Sequence, residues 1–339
     1  MLEMSKDLIY LTERLYNLGN VARIEKRKKF KIRRPPTIAR MGNIEDPLLK
    51  KACYSFLING KFWVYETGFF QHGRHIDKNI FSKSSLNMDG IDKIVYKYYY
   101  PADATELYNK NLLTQKYFQK PDTIENWDGF VLIAQRPIDY SILDAGTSKD
   151  YFDFFEAQCK YFGKRLFIKK HPREISRGKI HQTTSGMSET YDRFIRRMCK
   201  KYKCQSGHVN TSIIDNAEGI ISYNSTFCVD AALRGKHVMQ YAPGYFYKSG
   251  LVQYTDRKLC SVSVNIDEDY KKTFLNFLLW KYCFHEAQTV NWSRNIFYTY
   301  ADSSEIFPLP MEYSYGAYVL KTMKQEISNQ KESQLELNF

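Results

Sequence analysis

Four apolar runs recur between residues 130 and 242: "FVLIAQ" (130–135), "RLFIKK" (165–170), "EGIISY" (218–223) and "KHVMQYA" (236–242). None shows the polar alternation of a half-exposed strand, and such continuity is expected of parallel strands buried on both faces. Between them lie stretches punctuated as helices. "SKDYFDFFEAQCKYFGK" has Ser148 or Asp150 near its start and Gly163 past its end. "SETYDRFIRRMCKKYK" follows, and "STFCVDAALRG" closes on Gly235. Strand and helix alternating at this spacing predict right-handed βαβ units and a doubly wound α/β sheet.

The first part of the chain reads less regularly. "DPLLKKACYSFL" (46–57) predicts a helix, and "FWVYETGFF" (62–70) a strand that bends at Gly68. "KIVYKYYY" predicts a strand ending at Pro101, and "ADATELYNKNLLTQKYFQK" a helix as far as Pro121. "PDTIENWDG" then has the composition of a linker. This divides the chain into an N-terminal domain (1–125), a second domain (126–300) and a C-terminal helix with a polar tail (301–339) that is expected to fray. With 339 residues, 43% of them hydrophobic, there is material for two cores.

Charge narrows the partners. The net charge is +13, and "RIEKRKKFKIRR" (23–34) supplies eight basic residues against one acid. Such a block suits a negatively charged membrane surface or an anionic glycan, and it equally suits a solvated helix face plus linker. The adjacent apolar spacing Leu8, Leu11, Leu15, Leu18 favours an amphipathic helix docking on a membrane or a partner, with peripheral contact to an inner membrane through residues 23–34 as one expectation. No reader of bases or grooves is visible, so nucleic acid is not expected as a partner. No stretch has the roughly 18 apolar residues of a membrane span, and the N-terminus lacks a secretory core, so the expected location is cytoplasmic. Seven scattered cysteines without a CxxC pair suggest reduced thiols rather than disulfides or zinc.

In an open α/β sheet ligands bind beyond the carboxyl ends of the strands. Three polar clusters fall there. After the first apolar run comes "AQRPIDYS", with Gln135, Arg136, Asp139 and Ser141; taken alone, Asp139 also suits a simple turn after Pro137. After the second comes "KKHPRE", with Lys169, Lys170, His171, Pro172 and Arg173. After the third, Ser222, Asn224, Ser225 and Thr226 span a strand end and a helix start, where open N–H groups favour an anion. One capping residue is ordinary at such a start; four invite a ligand. In the first domain Glu66 ends a strand before Gly68, and polar strand edges in two domains suggest a cleft between them.

In order along residues 61 to 252, these segments resemble the retaining β-Kdo transferases of the bacterial capsule and O-antigen polysaccharide synthesis family. "FWVYETGFFQHG" is similar to that family's acidic-Gly-Phe motif, and "LNMDGIDKIVYKYYYPADATEL" to its Asp-x-x-Gly, Tyr, Pro-Ser/Ala-Asp run. "VLIAQRPIDYSI" resembles Gln-x-x-x-Asp-x-Ser, and "IKKHPRE" resembles Lys-x-His-Pro. "YNSTFCVDAALRGKHVMQYAPGYFYKSGLV" resembles Ser-Thr, then Ala-Leu-x-Gly-Lys-x-Val, then Phe-Tyr-x-x-Gly-Leu. The sequence departs where the family often has a second acid, here Thr67, and in the "QHGR" region.

The resemblance implies a GT-B fold, two Rossmann-like domains with the active site in the cleft, and the donor CMP-β-Kdo. It implies that His171, Pro172, Ser225 and Thr226 hold CMP, with Lys169, Ser222 and Asn224 adjacent. Asp139 matches the nucleophile-bearing motif and Glu66 the acidic motif of a general base; Gln135 and Arg136 are placed to meet the Kdo carboxylate. Another nucleotide sugar on the same fold, or a noncatalytic glycan-binding module, are the alternatives. The acceptor implied is a glycan or glycolipid. No metal or other cofactor is expected, because no Asp-x-Asp stands at a strand end of the second domain and basic residues can neutralise one phosphate.

Overall fold

The structure is a computed structural model and describes residues 38–40, 63–67, 69–70, 73–78, 99–110, 112–113, 127–137, 142, 145–171, 180–183, 187–209, 211–242, 246, 250–254, 267–285 and 311–336. In chain order come strands β1 (Ile38–Arg40), β2 (Trp63–Thr67) and β3 (Gly73–Lys78) and helix α1 (Ala104–Asn109). Next are β4 (Phe130–Ile133), α2 (Ser148–Phe162) and β5 (Leu166–Lys169). A small hairpin of β6 (Ile180–Gln182) and β7 (Ser188–Thr190) leads into α3 (Tyr191–Tyr202) and β8 (Gln205–Gly207). Then follow β9 (Gly219–Ser222), α4 (Cys228–Leu233), β10 (Val238–Gln240) and β11 (Gln253–Tyr254). Helix α5 (Glu268–Phe277), a π turn (Leu278–Tyr282), β12 (Phe284–His285) and α6 (Tyr315–Glu336) complete the described chain.

The predicted doubly wound sheet is present. Its six strands run in the order β8-β5-β4-β9-β10-β11, and every neighbouring pair is parallel. Numbered along the chain, that order is 3-2-1-4-5-6, the Rossmann winding. Strands β4, β5 and β9 are buried at every position, which is why their sequences are continuously apolar. Alternate residues serve opposite faces. Val131, Ile133, Phe167, Ile220 and Val238 pack with residues of α4, α5 and the π turn. Phe130, Leu132, Leu166, Ile168, Ile221 and Met239 pack with Tyr151, Phe152 and Phe155 of α2 and Phe194 and Met198 of α3.

Helix ends follow local chemistry, with some shifts from the sequence reading. The cap of α2 is Thr147, whose hydroxyl accepts the Asp150 N–H at 3.1 Å while the Asp150 carboxylate accepts the Thr147 N–H at 2.8 Å. Gly163 ends that helix at φ 53°, as its position suggests. Helix α3 begins at Tyr191 rather than Ser188, because Ser188–Thr190 pairs with β6. Helix α1 stops at Asn109, well short of the stretch predicted to reach Pro121. The polar tail predicted to fray is helical to Glu336.

A second, mixed sheet has the order β1-β2-β3-β12. Its β1–β2 pair is parallel, and β2–β3 and β3–β12 are antiparallel. The return strand β3 was not foreseen in the sequence, which offers there only "GRHIDK". The predicted helix 46–57 and the basic block 23–34 lie outside the described residues, as does the predicted strand 93–100 except for Tyr99 and Tyr100, which are not in a strand. Just past β2, Phe69 meets Phe246 at a ring distance of 5.2 Å and Tyr282 at 6.1 Å, and Phe70 stacks on Tyr315 at 5.1 Å. The indole N–H of Trp280 donates to the Ala102 carbonyl at 2.7 Å, and the Ala104 N–H donates to Asn276 Oδ1 at 2.6 Å. Among the described residues no helix is long and apolar enough to cross a membrane.

Candidate active site

Parallel pairing brings three strand ends level. Ile133 of β4 is in register with both Lys169 of β5 and Ser222 of β9. Two residues beyond that row stand Gln135, His171 and Asn224, one from each motif-bearing segment. The chain leaves β4 toward α2 on one face and leaves β9 toward α4 on the other. The gap between β4 and β9 is therefore the switch point of the sheet, where ligands bind in this winding.

Gln135 and Asn224 meet across that gap. Gln135 Nε2 donates to Asn224 Oδ1 at 2.8 Å, and the Asn224 backbone N–H donates to Gln135 Oε1 at 3.0 Å. Both are buried, at 7% and 2% exposure. The Gln135 backbone is also held: its N–H donates to the Tyr151 hydroxyl at 2.8 Å, which returns a bond to the Gln135 carbonyl at 3.1 Å. That hydroxyl lies 2.6 Å from the Tyr191 hydroxyl. Tyr223, beside Asn224, packs edge-on against Tyr151 at 5.3 Å and Phe154 at 5.4 Å. Tyr151 and Tyr191 escaped the sequence reading because tyrosines on the inner face of an amphipathic helix read as core. Their only signal is a hydroxyl that needs a partner once buried.

The hydroxyl-rich turn is partly self-satisfied. Ser222 is fully buried, and its Oγ accepts the Ser225 N–H at 2.8 Å; Ser225 Oγ accepts the Phe227 N–H at 3.2 Å. The N–H groups of Cys228 and Val229 donate to the Ser225 and Thr226 carbonyls, each at 3.2 Å. Most of the expected row of open N–H groups is thus taken by a tight turn, and α4 starts three residues later than Ser225. Ser225 and Thr226 keep partial exposure at the rim.

Lys169 was expected to add charge beside His171. Its side chain instead lies on the strand face opposite Ile168, 8% exposed, and its Nζ donates to the Val209 carbonyl at 2.6 Å with the Phe227 ring 5.6 Å away. Burial lowers its pKa to about 8, and the nearby Asp230 opposes that drop. Lys170 instead pairs with Asp192 at 2.7 Å, and that bond leads the causes holding the Asp192 carboxyl below its ordinary range. His171 and Arg136 are partly exposed at the same edge. Asp139, Ser141 and Pro172 lie outside the described residues, as does the Glu66 side chain; the Glu66 backbone stands in β2, in register with His75. Among the described residues no group of three or more His, Cys, Asp or Glu could hold a metal.

The arrangement presents hydroxyls, a histidine and an arginine around a level, rigid sheet edge. That set can hold an oxyanion such as a phosphate by side-chain donors. No family model matches the sequence, and no curated protein matches it. Among solved structures, the chain is similar to Thermosulfurimonas dismutans KpsC, beta Kdo 2,4 transferase, at 14% identity and a TM-score of 0.47, over 73% of this chain and 80% of that one. It is also similar to Thermosulfurimonas dismutans KpsC, beta Kdo 2,7 transferase, at 14% identity and a TM-score of 0.45, over 84% of this chain and 90% of that one. Likeness at that level carries no argument about what this chain binds or does.

Proposed function

We propose that the chain is a retaining glycosyltransferase of the GT-B kind that moves Kdo from CMP-β-Kdo to a glycan or glycolipid acceptor in surface polysaccharide assembly. One observation carries the reading. The segments holding Gln-x-x-x-Asp-x-Ser, Lys-x-His-Pro and Asn-Ser-Thr leave three adjacent strands in one register row beside the switch point.

The chemistry of a double displacement suits these residues. The Asp139 carboxylate attacks the anomeric carbon, the bond from that carbon to the phosphate oxygen breaks, and CMP departs with the electron pair. The acceptor hydroxyl then attacks the same carbon, Asp139 leaves as carboxylate, and Glu66 takes the hydroxyl proton. Charge develops on the departing phosphate. Ser225, although its oxygen accepts the Phe227 N–H, still has its own proton to donate there, and Thr226 and His171 offer further donors. Arg136 is the candidate partner of the sugar carboxylate. Pro172 fixes the backbone after His171, while Lys169 and Ser222 support the edge from within.

Asp139→Ala is expected to lower Kdo transfer at least about a thousandfold, the scale seen when a covalent nucleophile is removed. Intact mass spectrometry of wild type with CMP-β-Kdo generated in situ is expected to show a Kdo adduct on the peptide containing Asp139. Near-wild-type transfer by Asp139→Ala sinks the assignment. Thermal shift decides the nucleotide, because a ligand that binds only the folded state raises the melting temperature. CMP is expected to shift it and UDP is not; the reverse result moves the reading to another activated sugar. Activity is expected to survive EDTA, and loss of activity that Mg²⁺ restores overturns the metal-free mechanism.

A further inference from the structure

We infer that Gln135 and Asn224 are positioning residues: a two-bond clamp that sets the spacing between the loop after β4, which leads to Asp139, and the turn after β9, which carries Ser225 and Thr226. The inference rests on the reaction proposed above for its catalytic consequence, though not for the clamp itself.

Both ends of the Gln135 amide are committed to one residue, 89 positions away in sequence. With Gln135 and Asn224 at 7% and 2% exposure, these amides have little surface left for a ligand. Neither bond is needed to pair the strands. The β4–β9 ladder is already complete from Phe130↔Gly219 to Ile133↔Ser222. The clamp lies two residues past its end, where the two chains part for opposite faces of the sheet. It is anchored from behind, since the Tyr151 hydroxyl accepts the Gln135 N–H and donates to the Gln135 carbonyl while sharing a short bond with Tyr191. A phenolic oxygen has one proton and two lone pairs, so these three bonds use its full capacity. Strand end, turn and two helices are thereby held through one glutamine. In a displacement the nucleophile and the leaving group must stand on opposite sides of one carbon, and misplacement by about 1 Å can cost about a hundredfold.

The test compares wild type with Gln135→Met, which keeps side-chain length and removes both amide ends, and with Asn224→Asp, which keeps the acceptor facing Gln135 Nε2. Two readouts are taken: the single-turnover rate of adduct formation from CMP-β-Kdo together with CMP affinity by thermal-shift titration, and backbone amide exchange over residues 134–137 and 222–227. Gln135→Met is expected to slow adduct formation about a hundredfold with CMP affinity within about threefold, and Asn224→Asp to recover most of that rate. Exchange is expected to rise in both segments together in Gln135→Met. CMP binding weakened tenfold at an unchanged rate makes Gln135 a ligand contact and overturns the clamp. A lower melting temperature with rate and exchange unchanged makes the pair simple packing and overturns it too. Exchange that rises on one side only does the same. If wild type forms no adduct and transfers no sugar, the proposed reaction fails, while the exchange comparison still decides the clamp. Gln135→Glu, which retains the acceptor for the Asn224 N–H, gives the same comparison should Gln135→Met not fold.

Discussion

Lys169 keeps an ammonium group almost out of water, held by one carbonyl and facing Asp230. Its folded pKa of about 8 lies below the ordinary 10.5, so between those values the unfolded chain binds more protons than the folded one. Its contribution to stability is therefore least below about pH 8 and rises toward pH 10.5, by up to about 3 kcal/mol. Urea denaturation at pH 7.5 and pH 10 is expected to show that rise in wild type and a flatter one in Lys169→Met. Glu189 behaves in the opposite sense. Burial acts to raise its pKa, but the bonds from Arg197, the shorter at 2.5 Å, and from Thr183 at 2.9 Å hold it below the usual range. The stability it confers is present above pH 4.5 and fades as the pH falls through the lowered value. Arg197→Met leaves that buried carboxylate without its main partner, and a loss of about 3 kcal/mol at neutral pH is expected in urea denaturation.

At the scale of elements, the capping box at the start of α2 predicts that Thr147→Ala costs about 1 kcal/mol by urea denaturation, without change in CMP affinity. The central strands and the helices between them were legible because burial on both faces leaves a continuous apolar mark. Edge strands leave no such mark. "QSG" of β8 and "QY" of β11 are strands only because a neighbour offers them hydrogen bonds. The short hairpin before α3 hid for the same reason, since "SET" reads equally well as a helix start. At the candidate site, the residues of the turn 222–226 stood out by type. The pairing of Asn224 with Gln135 did not, because Gln135 was read from its own segment as a ligand contact, and the tyrosines behind it look like core. Lys169 was legible as a strand-end cation and misjudged in direction: period-two alternation sends it to the face opposite Ile168, toward Phe227 and Val209.

At the scale of the molecule, one apolar cluster runs from Phe69 and Phe70 through the α4 face of the parallel sheet to α5, Trp280 and α6. Trp280 lies at its centre with its ring against the backbone of Gly316, where an added Cβ would come within 2.5 Å of the indole. Trp280→Ala is expected to cost about 4 kcal/mol, and Gly316→Leu to displace α6 and lower the melting temperature. In Gly316→Leu, amide exchange followed through the thermal transition is expected to show residues 99–110 opening in step with α5, not in a separate transition. The reason is the bond from the Ala104 N–H to Asn276, which spans 172 residues, and that from Trp280 to the Ala102 carbonyl, which spans 178. During synthesis these contacts impose a waiting time. The segment that becomes α1 leaves the ribosome long before its partners exist, and at elongation rates of about 5–20 residues per second it stays unclasped for roughly ten seconds or more. Nascent chains arrested with residue 276 still inside the ribosome are therefore expected to be cleaved readily around α1, and those with residue 285 outside it to resist. For this protein, a helix made early is fixed only after α5 and the π turn have been made.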